Sequence, residues 1–336
     1  MAFTGIAATL LPNRKTVHKT LGLPVPLFSD STSSIKVQSK EGQYLKNVDI
    51  FILDEAPMAP RFALEVMDRT LRDIMKNDIA FGGKIVVLGG NFRQLLPIKE
   101  NETKTEIINL NGTLNDANDN VKIPKQIIAN VNSDIVNDIY GKLIRDKKFD
   151  EISECAILSA RNADVNELNE RVVQLLDTTT ERIYTSIDTV ENNDSNSFNE
   201  IILPEYLNSL SPPSLLLHEL RLRVNSIIML IRNLRINKGL CNGTRLLVLE
   251  LTDNLLRCKI LTGDKFGDIV FINRITLYCE NVNPFTFKRR QFPVKLAFAM
   301  TINKSQGQTF TNIGIDLRKD VFNRGQLYVA CSRVRK

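Results

Sequence analysis

Histidine is almost absent from this sequence: His18 and His218 are the only two in 336 residues. A histidine-rich metal site is thereby excluded, and a histidine-dependent triad has few places to be. Cysteine is sparse too. Cys155, Cys241, Cys258, Cys279 and Cys331 are odd in number, widely spaced and without a C-x-x-C pair. That excludes a disulfide framework and a zinc pattern, and buried thiols with no disulfide-linked partner are expected. No run approaches the ~18 consecutive apolar residues of a membrane helix. The apolar start, residues 1–12, lacks a basic region before it and reads as core rather than as a signal peptide. No nuclear or mitochondrial address is visible.

What is present is ordinary globular composition, 43% hydrophobic and 24% charged, which excludes wholesale disorder. The length allows two domains at roughly 150 residues each. Lys and Arg number 44 against 38 Asp and Glu; the net charge of +6 is compatible with a polyanionic partner without requiring one.

Ile50 to Leu53 and Lys84 to Leu88 are short apolar runs without polar alternation, the pattern of parallel strands buried on both faces. Between them, Phe62, Leu64, Val66, Met67, Leu71 and Ile74 carry helical spacing over 60–78. Strand, helix, strand predicts a right-handed crossover and an α/β domain. A helical stretch is expected around 134–148, a buried strand at Ala156–Leu158, a helix over Val165–Leu176 and a surface loop over 188–200. Residues 245–277 hold three short strand-like runs split by turn signals at Thr252–Asn254 and Thr262–Asp264, which predicts a small antiparallel insert.

Four constellations could carry chemistry. Asp54-Glu55 follows the strand Ile50–Leu53, at the end where open α/β sheets bind ligands. There an Asp can hold Mg²⁺ through water and its neighbour can act on an attacking water; alone, a solvated turn is the commoner meaning. Gly89-Gly-Asn-Phe-Arg-Gln-Leu-Leu-Pro97 lets backbone pass close to a ligand and offers Gln94 as a γ-phosphate sensor, against the plain reading of a tight turn. Met300-Thr-Ile-Asn-Lys-Ser-Gln-Gly-Gln-Thr309 gathers hydroxyls, amides and a Lys suited to phosphates, or is simply a polar loop. Arg333 is either a surface cation or an arginine finger.

Together these segments resemble, in order, the motifs of the PIF (petite integration frequency) family of superfamily-one DNA helicases, in their Helitron-transposon-like form. Thr4-Gly-Ile-Ala-Ala8 with Thr16-Val-His18 is similar to the first DNA-contacting motifs. Asp54-Glu-Ala-Pro-Met58 is similar to Walker B, and Gly89–Pro97 to motif III. Ile157-Leu-Ser-Ala-Arg-Asn162 resembles motif IV, and Gly239-Leu-Cys-Asn-Gly-Thr-Arg-Leu246 a family signature. Thr301–Gly307 and Gly325–Val334 resemble motifs V and VI.

The resemblance implies an α/β fold of two RecA-like, P-loop NTPase domains, residues 1–125 and 126–336, with a small antiparallel β-barrel insert at about 245–290. It implies ATP and Mg²⁺ as cofactors, single-stranded DNA and DNA junctions as partners, 5′-to-3′ translocation, and roles in DNA repair, recombination and telomere maintenance. It places no part in a membrane and implies nuclear residence. By position, Asp54 holds Mg²⁺, Glu55 acts on the attacking water and Gln94 senses the γ-phosphate. Arg161 and Arg333 reach the triphosphate, and Gln306 and Gly307 line the nucleotide. Thr4, His18, Thr301, Lys304 and Ser305 contact DNA.

The sequence also departs from the family pattern. No G-x-x-x-x-G-K-[ST] occurs, and Gly82-Gly83-Lys84 precedes a strand where the phosphate loop must follow one. No Thr-x-Asn-Met-Arg element follows Pro97, and Asn91 stands where Asp is usual. The expectation is an incomplete copy, lacking the Walker A loop at its start and internally deleted. The rival readings are a non-catalytic single-strand-binding remnant and an inactive fragment.

Overall fold

The computed structural model describes residues 1–9, 11, 15–25, 27–90, 127–130, 133–191, 204–210, 216–279, 286–319 and 324–334. The chain divides into two compact units, Met1–Asp138 with Arg318–Ser332, and Ile139–Leu317 with Arg333–Lys336.

In the first unit, three short helices, α1 (Gly5–Thr9), α2 (Val17–Leu21) and α3 (Lys40–Lys46), precede β1 (Ile50–Leu53). Helix α4 (Arg61–Met75) then leads to β2 (Ile85–Leu88), which pairs with β1 in parallel, Ile50 beside Ile85 and Leu53 beside Leu88. Ala63, Val66, Met67, Leu71 and Ile74 recur at helical spacing and form the buried face of α4, packed with Val17, Leu21, Leu45, Phe51 and Leu53. The expectation of strands buried on both faces is corrected here. Phe51 and Leu53 are buried, but Ile50 and Ile52 are 52% and 59% exposed, as are Ile85 and Val87 beside them in register. Alternate side chains of a strand point to opposite faces, and α2, α3 and α4 contribute to the core on one face.

The second unit is built on a three-stranded parallel sheet. Its centre is β3 (Cys155–Ser159), buried along its whole length and flanked by β14 (Ala299–Thr301) and β15 (Asn312–Asp316). Helix α5 (Asn162–Gln174) packs beside it through Val165, Leu168, Val172 and Val173. The buried Asn169 clamps the edge strand: its amide donates to Ala299 O at 2.9 Å and its oxygen accepts from Ala299 N at 2.8 Å.

The remainder of this unit is antiparallel. Strand β4 (Arg182–Thr185) pairs with β6 (Glu219–Leu222). A sheet of order β11-β12-β5 joins Ile275–Cys279, Thr286–Gln291 and Ile187–Glu191. A five-stranded sheet runs β10-β9-β8-β7-β13, from Ile269–Asn273 through Leu255–Ile260, Arg245–Leu251 and Ile227–Leu230 to Val294–Leu296. Its apolar core includes Leu222, Leu246, Val248, Leu256 and Ile260.

One further expectation is revised and another is met. Residues 188–191, read as the start of a loop, belong to β5, because Asp188 is drawn inward by Arg289 and a polar stretch thereby gains a buried anchor; 192–200 lie outside the described residues. The helix expected around 134–148 is present over residues 135–145. A π-turn (Asn137–Gly141) passes into a single helical turn at Lys142–Arg145, and the left-handed Lys147 (φ 54°) ends it.

Three buried arginines tie these layers together. Arg223, 8% exposed, donates to Val173 O and Leu176 O at the carboxyl end of α5 and pairs with Glu181 at 2.6 Å. Arg245, 1% exposed, leaves β8 to donate to Ser153 O, Cys155 O and Ala297 O, and lies over the Phe310 ring at 5.0 Å. Arg289, fully buried on β12, pairs with Asp188 and reaches Leu207 O, Leu210 O and Leu216 O.

Candidate nucleotide and nucleic-acid sites

In the first unit the candidate residues gather around one extended residue, Ala2. It bridges in parallel to both Thr16 and Asp54. Ala2 N donates to Lys15 O, Val17 N to Ala2 O and Asp54 N to Met1 O. Thr4 caps α1, its hydroxyl oxygen accepting from Ala7 N at 3.3 Å. Thr16 caps α2 in the same way, accepting from Lys19 N, and His18 lies in that first turn. The His18 ring leans on Phe3 at 4.9 Å, and burial holds its pKa below the usual value, so it is neutral at pH 7.

Asp54 leaves the carboxyl end of β1, half-buried, with Oδ1 accepting from Glu55 N at 3.0 Å. Glu55 adopts the left-handed conformation (φ 55°), which turns the chain sharply into the 3₁₀ turn Ala56–Met58. The turn is pinned to β2: Ala56 N donates to Gly89 O and Gly89 N to Leu53 O. A Cβ on Gly90 would collide with Pro57, so this position tolerates no side chain. Gln94 and Asn91 lie outside the described residues.

In the second unit, Thr301 ends β14 opposite Ser159 at the end of β3. Arg161 follows two residues beyond Ser159, exposed and at the start of α5. Arg161 and the loop after Thr301 therefore leave the same carboxyl edge of one parallel sheet. The loop is a 3₁₀ turn, Ile302–Ser305, completed by the left-handed Gly307 (φ 74°). Lys304 is exposed, whereas Ser305 is fully buried and its hydroxyl donates to Ile302 O, so it shapes the turn from within. Gln306 and Gln308 are nearly buried, and each has a side-chain oxygen without a hydrogen-bond partner among the described residues. Arg333 is brought to this loop: its backbone O accepts from Phe310 N, and its guanidinium faces Gln308 O at 3.5 Å.

Sequence reasoning missed Lys295. It sits on β13, and burial together with Lys304 pulls its pKa down to about 7. The signal was available, since Lys295 interrupts the apolar stretch from Val294 to Met300. Two lysines this close, with no acid between them, favour an anion. A bound anion stabilises charged Lys295, so binding takes up a proton above pH 7. Oligothymidine affinity is therefore expected to fall from pH 7.0 to 8.5, by up to about tenfold per pH unit. Lys295→Met should flatten that profile in a fluorescence-anisotropy titration; a profile identical to wild type would remove Lys295 from the site.

Ser186, His218 and Asp188 also meet, but not as a hydrolytic triad. Ser186 Oγ lies 2.6 Å from Asp188 and 2.8 Å from His218 Nδ1, so the hydroxyl donates to the carboxylate and leaves the imidazole no proton to accept.

A strand-crossover-strand unit ending in Asp-Glu, and a second parallel sheet whose carboxyl edge carries Arg161 and the Thr301–Gly307 loop beside antiparallel sheets, define a RecA-like α/β protein of the P-loop NTPase class. Two family profiles match parts of the chain. The profile described as "PIF1-like helicase" matches residues 1–128, and that of "DNA helicase Pif1, 2B domain" matches 205–251. The ATP-dependent DNA helicase Pif1 of Bdellovibrio bacteriovorus is 25% identical over 100% of this chain and 75% of its own length. The ATP-dependent DNA helicase PIF1 of Danio rerio is 27% identical over 84% of this chain, and the match spans only 44% of the fish protein. A Pif1 helicase from Bacteroides, solved with ADP-AlF3 and single-stranded DNA, superposes with a TM-score of 0.60 at 25% identity, over 100% of this chain and 80% of that one.

Proposed function

We propose that this chain belongs to an ATP-driven motor that moves 5′ to 3′ along single-stranded DNA and opens duplexes and junctions, acting in the nucleus. Supporting this is the common sheet edge from which Arg161 and the Thr301–Gly307 loop emerge, with Arg333 drawn onto the same loop.

In this reading Asp54 holds Mg²⁺ through water. A single half-buried carboxylate at the end of a strand suits that ion, which takes one or two carboxylates and otherwise phosphates and waters. The ion supplies charge neutralisation of the phosphates. Glu55 orients the attacking water, Gln94 senses the γ-phosphate, and Arg161 and Arg333 stabilise charge on the transferring group. Gln306 and Gly307 line the nucleotide, the unpartnered oxygen of Gln306 being open to a donor. Thr4, His18, Thr301 and Lys304 hold backbone phosphates, which position a strand without reading its sequence; Ser305 acts by fixing the loop.

The 336 residues contain no phosphate-cradling G-x-x-x-x-G-K-[ST] loop. That observation favours a second reading for these residues taken alone: single-strand binding without turnover. Accordingly the chain is expected to bind a 20-nucleotide oligothymidine in a salt-sensitive manner and to hydrolyse ATP only at background. Lys304→Ala should weaken binding and reduce the log–log salt slope by about 1. No binding at low salt would sink the nucleic-acid reading. Brisk hydrolysis untouched by Glu55→Gln would sink the site assignment.

A further inference from the structure

We propose a second single-strand contact on the antiparallel part of the second unit, where a two-arginine pocket takes a backbone phosphate and a neighbouring tyrosine stacks a base. It rests on the reading above only for the class of ligand, and none of its residues belongs to the motif loops.

The pocket forms where the chain passes between two sheets. Asn273 ends β10 opposite Leu255, the first residue of β9. Arg274 is the single residue before β11 begins at Ile275, and Arg290 lies opposite Thr276 one position further on. Asn254, Leu255, Asn273, Arg274 and Arg290 line a cavity of about 380 Å³. That volume is at the small end of ligand pockets, which run from about 300 to 1,000 Å³.

Its electrostatics are one-sided. Arg274 stacks over Phe292 at 5.0 Å and Tyr184 at 5.7 Å and donates once, to Thr185 O. The stack fixes its plane, and the rest of the guanidinium fork has no partner among the described residues. Arg290 is exposed and has no hydrogen bond or ion pair among them. Asp253, the acid next to the pocket in sequence, is engaged by Arg182 at 2.5 Å. Two guanidiniums without a carboxylate, flanked by two amides, match a phosphate, which accepts from a planar fork.

The strand face continues the pattern. On β12, Lys288 and Arg290 share the face opposite the buried Arg289 and Gln291. Lys288 pairs with Tyr278 on β11 and lies 5.3 Å from its ring, and that ring is 55% exposed. Cations alternating with an open aromatic form a platform for single strands, whose bases stack without sequence preference. A carboxylate-rich peptide could satisfy the arginines but gives Tyr278 nothing to stack.

The test is fluorescence anisotropy of a 20-nucleotide oligothymidine on the full 336-residue chain, with a labelled acidic peptide of equal charge as control. Arg290 is exposed, so its variants should fold; a thermal melt checks each one. Arg290→Glu is expected to weaken oligothymidine binding roughly tenfold and to lower the salt slope by about 1, and Arg290→Lys to retain most of the affinity. Tyr278→Ala should weaken binding about fivefold or more with the salt slope unchanged. Unchanged affinity in both Arg290→Glu and Tyr278→Ala, with Lys304→Ala impaired, overturns this site and leaves the motif-loop reading standing. Loss in Arg290→Glu with Lys304→Ala unimpaired supports this site and counts against that reading. Losses confined to the peptide, or no binding by the wild-type chain, overturn the proposal.

Discussion

Replacing Asp188 with alanine is expected to lower the stability of the second unit by about 3–5 kcal/mol, the usual effect of stranding a buried charge. Arg289 is fully buried, and Asp188 accepts from its Nε at 2.9 Å and from a terminal nitrogen at 2.7 Å. Three carbonyls occupy other donors of the guanidinium, but none neutralises it. The loss should appear as a fall of roughly 6–20 °C in melting temperature, at about 2–4 °C per kcal/mol for a unit of this size. Asp188→Ala combined with Arg289→Met should recover much of it, because the pair is then replaced by apolar bulk. A double variant no more stable than the single one would mean that the carbonyl contacts, not the ion pair, hold β5 and β12 in place.

Arg245→Leu is expected to be comparably severe, about 3–5 kcal/mol, for a different reason. Arg245 has no carboxylate partner among the described residues; burial alone presses its pKa downward. Its removal leaves no stranded charge but orphans the carbonyls of Ser153, Cys155 and Ala297, each worth about 1–3 kcal/mol when buried and unmet. The contact over Phe310 is lost as well. Arg245→Lys should rescue little, since one ammonium cannot span three carbonyls with a planar fork. Equilibrium urea unfolding checks this, and a loss under about 1 kcal/mol for Arg245→Leu would show that β8 and β3 are held by apolar packing alone.

The contrast between these arginines explains what could be read in the sequence. Strands β8, β9 and β10 were legible because turn residues punctuate apolar runs at Thr252–Asn254 and Thr262–Asp264. The crossover from β1 to β2 was legible because α4 keeps a helical period. Strand β5 was hidden because its stability comes from Asp188, whose partner lies 101 residues away. The open face of β1 was hidden for a related reason: an apolar run records that a strand could be buried twice, not which faces the fold covers. At the candidate sites, motif order brought out Asp54-Glu55 and the Thr301–Gly307 loop. The burial of Ser305 and the pairing of Lys295 with Lys304 depend on how the chain turns after β14, which no local spacing records.

Asn169 carries a consequence for that turn. An edge strand ordinarily offers a free row of donors and acceptors on which another strand can zip. By meeting both backbone groups of Ala299, the Asn169 amide acts as a one-residue counterfeit strand. It closes the ladder two residues before Thr301, so the sheet cannot grow at the point where the polar loop departs. Helix α5 thus serves as a stop for the sheet at Ala299 as well as a cover.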